Sequence, residues 1–201
     1  MEKTRKVLLI DTHLTYPNWA EGKLNYSFIA IAKDFFSSKD FDVLETEIEA
    51  GYDVDEEVEK HLEADIVILQ TPVNWFGAPW IYKKYVDEVF NAGLHSKKFL
   101  TGDGRSTDDP SSQYGTGGEL HGKQFMICAT WNAPEDGFND PTQVLFKGKS
   151  VEDLFLNITS NYLFCGFEIM PGYNAFDIFK NPQIEMDLEN YPKHLADVFG
   201  V

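Results

Sequence analysis

The stretch ADIVILQTPVNWFGAPWIYKKYVDEVF, residues 64–90, decides how the chain folds. Residues 65–71 form a short apolar run of the kind that makes a strand buried on both faces of a parallel sheet. Residues 80–91 carry a helical pattern. Between them lies a turn holding Trp75, Phe76, a glycine and two prolines, with Trp80 at its exit. Loops lie on the surface. Trp75, Phe76 and Trp80 must therefore be covered by another part of the protein or themselves cover something flat.

Outward from this unit the pattern repeats. Apolar runs at 6–11, 41–46, 65–71, 124–131 and 166–173 read as strands. Helical segments are expected at 23–37, 54–62, 80–91, 151–164 and 186–199, the first marked by a stripe of Leu24, Phe28, Ile31 and Phe35. Alternating strands and helices predict an α/β fold, a flavodoxin-like doubly wound five-stranded parallel sheet in one domain over 1–201. Ligands of such sheets sit beyond the carboxyl ends of the strands. One segment breaks the rhythm: 96–123, rich in Gly, Ser and Asp, is a long loop before strand four, and loops of that length are usually functional or disordered.

The chain has 201 residues, 43% of them hydrophobic and 25% charged, as in an ordinary globular protein, while its 14% aromatic content suits flat ligands or an interface. Its formal charge of −16 argues against nucleic acid or an anionic membrane as partner. A phosphorylated ligand would have to be held by local devices such as helix N-termini. Cys128 and Cys165 read as reduced core thiols. The amino-terminal residues lead directly into a strand, with no apolar leader and no stretch able to span a bilayer, so a cytoplasmic protein is the simplest reading.

Three loops at carboxyl ends of strands carry the candidate chemistry. The first, 11–27, ends in Gly22-Lys23-Leu24-Asn25 as a helix begins; a phosphate could dock there with help from Lys23, Asn25 and Ser27, or the segment is an ordinary capped loop. The second, 71–79, and the third, 130–138, each carry Trp and Asn, and a planar ring between them could stack on the indoles. The bland alternative is that Trp75, Trp80 and Trp131 fill core or dimer contacts. Neither a phosphate-binding glycine motif nor a nucleophile elbow occurs, and His13, His61, His95, His121 and His194 lack metal-ligand spacing.

The run from Pro72 to Trp80, followed by Lys83, Lys84, Tyr85, Asp87 and Phe90, resembles the flavodoxin-like NAD(P)H:quinone reductases, and in particular the bacterial modulator-of-drug-activity-B family. Gly22, Leu24 and Asn25 at the first helix, Asp103-Gly104-Arg105 and Tyr114 to Gly118 in the long loop, and Thr130 to Pro134 agree with it in order. The resemblance implies an oxidoreductase that binds FAD, takes hydride from NAD(P)H at flavin N5 and passes two electrons to a quinone. It implies cofactor contacts from Ala20, Glu21, Gly22, Lys23, Leu24, Asn25, Tyr26 and Ser27 around the diphosphate. It also implies Pro72, Val73, Asn74, Trp75, Thr130, Trp131, Asn132 and Ala133 around the ring, Tyr114 from the long loop, and a homodimer with the flavin at its interface.

One departure stands out. Relatives usually carry Asn-Gly-Ala after the first strand and Ser before the Gly-x-Leu-Asn; here the residues are Asp11-Thr12-His13 and Ala20-Glu21. A lost hydroxyl and an added carboxylate weaken anion binding. FMN in place of FAD, a different acceptor, a flavodoxin-like electron carrier suited by its acidity to a basic partner, or a binding protein without flavin therefore stay open as alternatives.

Overall fold

The computed structural model describes residues 4–201. Its parallel sheet runs β2 (Asp42–Glu47), β1 (Lys6–Asp11), β3 (Ile66–Pro72), β4 (Gln124–Thr130), with β5 (Glu168–Ile169) and β6 (Tyr173–Ala175) both paired to β4. The central strands are buried along almost their whole length, because helices cover both faces. On one face α2 (Val54–Glu63), α3 (Trp80–His95) and α5 (Leu156–Cys165) close a core around Leu8, Val67, Tyr85, Phe125 and Tyr162. On the other, α1 (Lys23–Ser37) and α6 (Ile184–Phe199) pack Phe28, Phe36, Tyr191 and Phe199 against Leu9, Ile68 and Cys128. The two cysteines are free and buried, as expected.

Two expected elements are divided. The fifth strand, expected over 166–173, is broken by Pro171, which has no N–H for the ladder, and by Gly172. A Cβ on Gly172 would lie 2.9 Å from the Ile127 carbonyl oxygen, so only glycine passes so close to β4. Across the break the partners of Gln124 and Cys128 are Glu168 and Tyr173, which leaves one extra residue on the outer strand. The helix expected over 151–164 divides at Phe155 into α4 (Val151–Leu154) and α5, with the Phe155 ring turned inward against Trp131.

The long loop 96–123 lies at the amino end of the sheet, because β4 starts directly after it. Leu100 bridges Gly118, the Leu120 N–H donates to Cys165 O at 2.8 Å, and the Lys123 ammonium donates to the carbonyls of Leu62 and Ala64. Gly118 is required there: a Cβ would lie 2.3 Å from the Cys165 backbone.

Candidate functional site at the carboxyl ends of the strands

The turn after β3 has two hydrogen bonds between Asn74 and Gly77, N–H to O distances of 2.8 and 3.3 Å, and two central residues with positive φ, Trp75 at 50° and Phe76 at 69°. This is the two-residue mirror-image turn that Asn-Gly normally fills. Bulky residues in such conformations cost about 1–3 kcal/mol each. The Val73 N–H ties the strand end to Thr130 O at 3.0 Å. Phe76 sets its edge on Phe146 at 5.9 Å, Phe146 stacks on Phe138 at 4.5 Å, and Phe138 meets Trp131 at 5.1 Å. Trp75 itself is 94% exposed and Trp80 63%. The Trp75 indole packs on almost nothing of its own chain, and most of Trp80 faces solvent.

Trp131 departs from the expectation of a stacking wall. Its indole is buried among Phe138, Phe155 and Phe176, and its N–H donates to Asn174 Oδ1 at 2.9 Å. Its backbone N–H and C=O are also engaged, by Ala175 and Ile178. Trp131 is thus the root of the aromatic brace that ends at Phe76. Thr130 is buried and its carbonyl is taken by Val73, Ala133 accepts from the Asp177 N–H, and Asn132 is exposed.

The loop after β1 is built differently. Tyr16 and Ala20 exchange backbone hydrogen bonds, and the chain enters α1 through Gly22 at φ 77°. No side chain caps α1 and no acid lies in its first turn, so its N–H groups and dipole face outward. Lys23 pairs with Glu21 at 2.6 Å, Ser27 Oγ donates to Lys23 O, and the Tyr26 hydroxyl donates to Glu47 at 3.1 Å. Asn25, expected beside a phosphate, is buried and accepts from Gln70 Nε2 at 2.8 Å; it fastens the helix to β3.

Beneath this entry lie polar groups without partners. Asp11 Oδ1 accepts the His13 N–H at 2.8 Å while Oδ2 and Gln70 Oε1 have no partner, and the buried His13 ring, with no well-formed hydrogen bond, approaches the Ala20 backbone. Burial pushes the Asp11 carboxyl up to about 6, with Glu47 and Glu49 adding to it, and burial holds His13 below the ordinary imidazole range. A Cβ on Gly22 would lie 2.5 Å from His13 Cδ2 and 2.7 Å from Nε2, so the imidazole sits directly under the α1 entry. Such orphaned groups are exceptional in folded proteins. Only the position of His13, two residues past a strand end, could have signalled this from sequence; the Phe146 brace had no sequence signal.

Tyr114 is not part of this cluster. It lies on Phe164 near the carboxyl end of α5, with Arg105 over its ring, and borders a surface hollow of about 600 Å³ that also involves Phe90, Leu94, Leu100 and Leu163. From Trp80 to that end, α3 rises about 24 Å. The structure therefore does not bring Tyr114 together with residues 20–27 and 72–75 of the same chain. Among the described residues, no three His, Cys, Asp or Glu side chains converge as a metal site, and no helix is long and apolar enough to cross a membrane.

A family described by its flavodoxin-like fold matches residues 5–197. The chain is 40% identical over 194 residues to an NADPH:quinone oxidoreductase, MdaB, of Haemophilus influenzae, covering 96% of this chain and 99% of that protein. Among solved structures, a candidate quinone reductase from Klebsiella pneumoniae superposes with a TM-score of 0.75 at 22% identity, over 96% of this chain and 84% of that one. General stress protein 14 of Treponema denticola, solved with FMN, gives 0.66 at 16% identity over 96% and 98%. At these identities the two structures speak for the fold alone.

Proposed function

The chain belongs to the flavodoxin-like fold family and to its modulator-of-drug-activity-B branch, and from that premise we propose that it is a flavin-dependent NAD(P)H:quinone oxidoreductase. The observation that carries the reading is the pairing, at the ends of adjacent β1 and β3, of an uncapped helix entry over orphaned buried polar groups with a strained aromatic turn. These residues fit a flavin. The N–H groups at the start of α1, from Gly22 to Asn25, would hold its phosphates, and the backbone of Pro72 to Trp75 would shape the edge of its ring. Asn132 and Ala133 would close the other side, and the exposed Trp75 and Trp80 would keep water from the reacting face. Bound there, the flavin supplies two-electron chemistry between nicotinamide and quinone.

FAD is the cofactor of this reading, because residues 20–27 resemble a diphosphate contact, and NADPH is the donor in the relative's name. Purified protein should be yellow, release FAD on denaturation and oxidise NADPH faster with menadione than without it. Release of FMN alone would change the cofactor. A colourless protein that takes up neither flavin would end the enzyme reading.

The reading includes a homodimer. Tyr114, 65% exposed at the far end of α3, could contribute to a flavin site only from a second copy, and the exposed Leu94 and Leu163 beside it form an apolar face suited to one. Light scattering at micromolar concentration should give twice the chain mass. A fully active monomer would remove Tyr114 from the site.

A further inference from the structure

We propose that His13 is the proton-accepting partner of the phosphate site: a phosphorylated ligand docking on the start of α1 draws one proton from solvent onto the buried imidazole. The inference rests on the flavin reading above for the identity of the ligand, and on the loop itself for the proton.

The charge around the loop requires some such device. His13 is faced by Asp11 from the end of β1, Glu47 from the end of β2, Glu49 from the turn after it, and Tyr26 from α1, with Glu21 and Lys23 at the α1 entry. Lys23 is the cation of this set, and Glu21 already neutralises it. The Glu49 carboxylate takes both the N–H and the hydroxyl of Thr15, so it too is fixed at the loop. The α1 dipole contributes roughly half a positive charge. A phosphate therefore enters a setting with four carboxylates and one paired lysine.

His13 is placed to answer. It is 3% exposed, its ring has no well-formed hydrogen bond beyond its approach to the Ala20 backbone, and Nε2 and Cδ2 occupy the space beneath the Cα of Gly22 where a side chain would have been. Burial disfavours the charged ring before the anion arrives. A phosphate over the helix entry favours the charged ring, so binding and protonation reinforce each other. The sign follows: the complex holds the proton more tightly than the free protein, so the coupling is complete at low pH and is lost as pH rises through the imidazole pKa of the complex. Asp11 would respond in the same direction, since an anion also disfavours its carboxylate; the two must be separated by substitution.

Calorimetric titration of the full chain with FAD, FMN and riboflavin, in two buffers of different ionisation heat, reads the proton directly. Between the imidazole pKa of the free protein and that of the complex, phosphorylated flavins should take up close to one proton and riboflavin none, and affinity for FAD should fall by up to about tenfold per pH unit across that window. His13→Gln should abolish the uptake and flatten the pH profile, while Asp11→Asn should keep it. In the unaltered protein, the ring-nitrogen NMR signals of His13 should move to imidazolium values on addition of FAD. Phosphorylated flavin binding without proton uptake, or uptake that survives His13→Gln and vanishes in Asp11→Asn, would overturn the inference. Should no flavin bind, the function reading fails instead, and pyrophosphate titrated in the same way still tests the proton.

Discussion

In the loop after β1 the hydrogen bonds of buried side chains are incomplete, whereas in the turn after β3 the hydrogen bonds are made and the backbone carries the strain. The two are neighbours, joined by the 2.7 Å hydrogen bond from Thr12 Oγ1 to Thr71 Oγ1. Both keep free energy in reserve at the ligand end of the sheet, in different forms. The first is an electrostatic deficit that an anion and a proton would fill; the second is a conformational cost held in place by aromatic packing. Substitutions at the root of each should separate the two.

The largest effect belongs to the aromatic brace. Trp131→Ala removes a fully buried indole and should cost about 3–5 kcal/mol in urea unfolding. Because Trp131 supports Phe138, Phe146 and Phe76 in turn, the 74–77 turn should relax and flavin affinity should fall with stability. Stability lost with flavin affinity intact would show that the turn holds itself.

Gly22→Ala probes the other loop. A methyl group there would collide with His13 at 2.5 Å and with Tyr26 at 2.8 Å, at a positive φ that alanine resists, and should cost about 2–3 kcal/mol. The double variant with His13→Ala should recover part of this, a non-additivity expected of residues in contact. Full additivity would mean that the strain of φ alone sets the loss.

Asp11→Asn comes next. The native carboxyl binds its proton up to about 6, above its ordinary 3.8, so between those values the folded chain holds more protons than the unfolded one and stability declines as pH rises. Above that window the variant should be more stable than the parent by about 3 kcal/mol, and below pH 4 the two should coincide. An advantage that persists in acid would assign the gain to something other than the buried charge.

The sheet and most helices were legible because their apolar residues follow one period, as in 6–11 and 23–37. The two divided elements were not, since Phe155 continues a helical stripe and the cost of Pro171 depends on the β4 backbone beside it. At the site, Trp75 and Trp131 looked alike, each in a loop at the carboxyl end of a central strand. Their exposures, 94% and 1%, are decided by Phe138, Phe155 and Phe176, which approach only one of them. The position of Tyr114 likewise follows from topology: a loop that precedes a parallel strand starts from the opposite end of the sheet.

The smallest effect is the most discriminating for the turn. Because the Trp75 ring lies in solvent, its loss removes almost no packing, and Trp75→Ala should leave stability within about 0.5 kcal/mol of the parent. Trp75→Gly removes the same ring but also relieves φ 50°, and should raise stability by about 0.5–1 kcal/mol. The difference between the two variants isolates the backbone cost, since neither retains the indole. Both should bind flavin more weakly, the glycine variant more so, because a relaxed turn no longer presents its backbone in one geometry. Thermal unfolding and flavin titration of the pair settle it. If glycine destabilises, or if both variants bind flavin as the parent does, the left-handed turn is an ordinary surface feature and the contrast with the loop after β1 disappears.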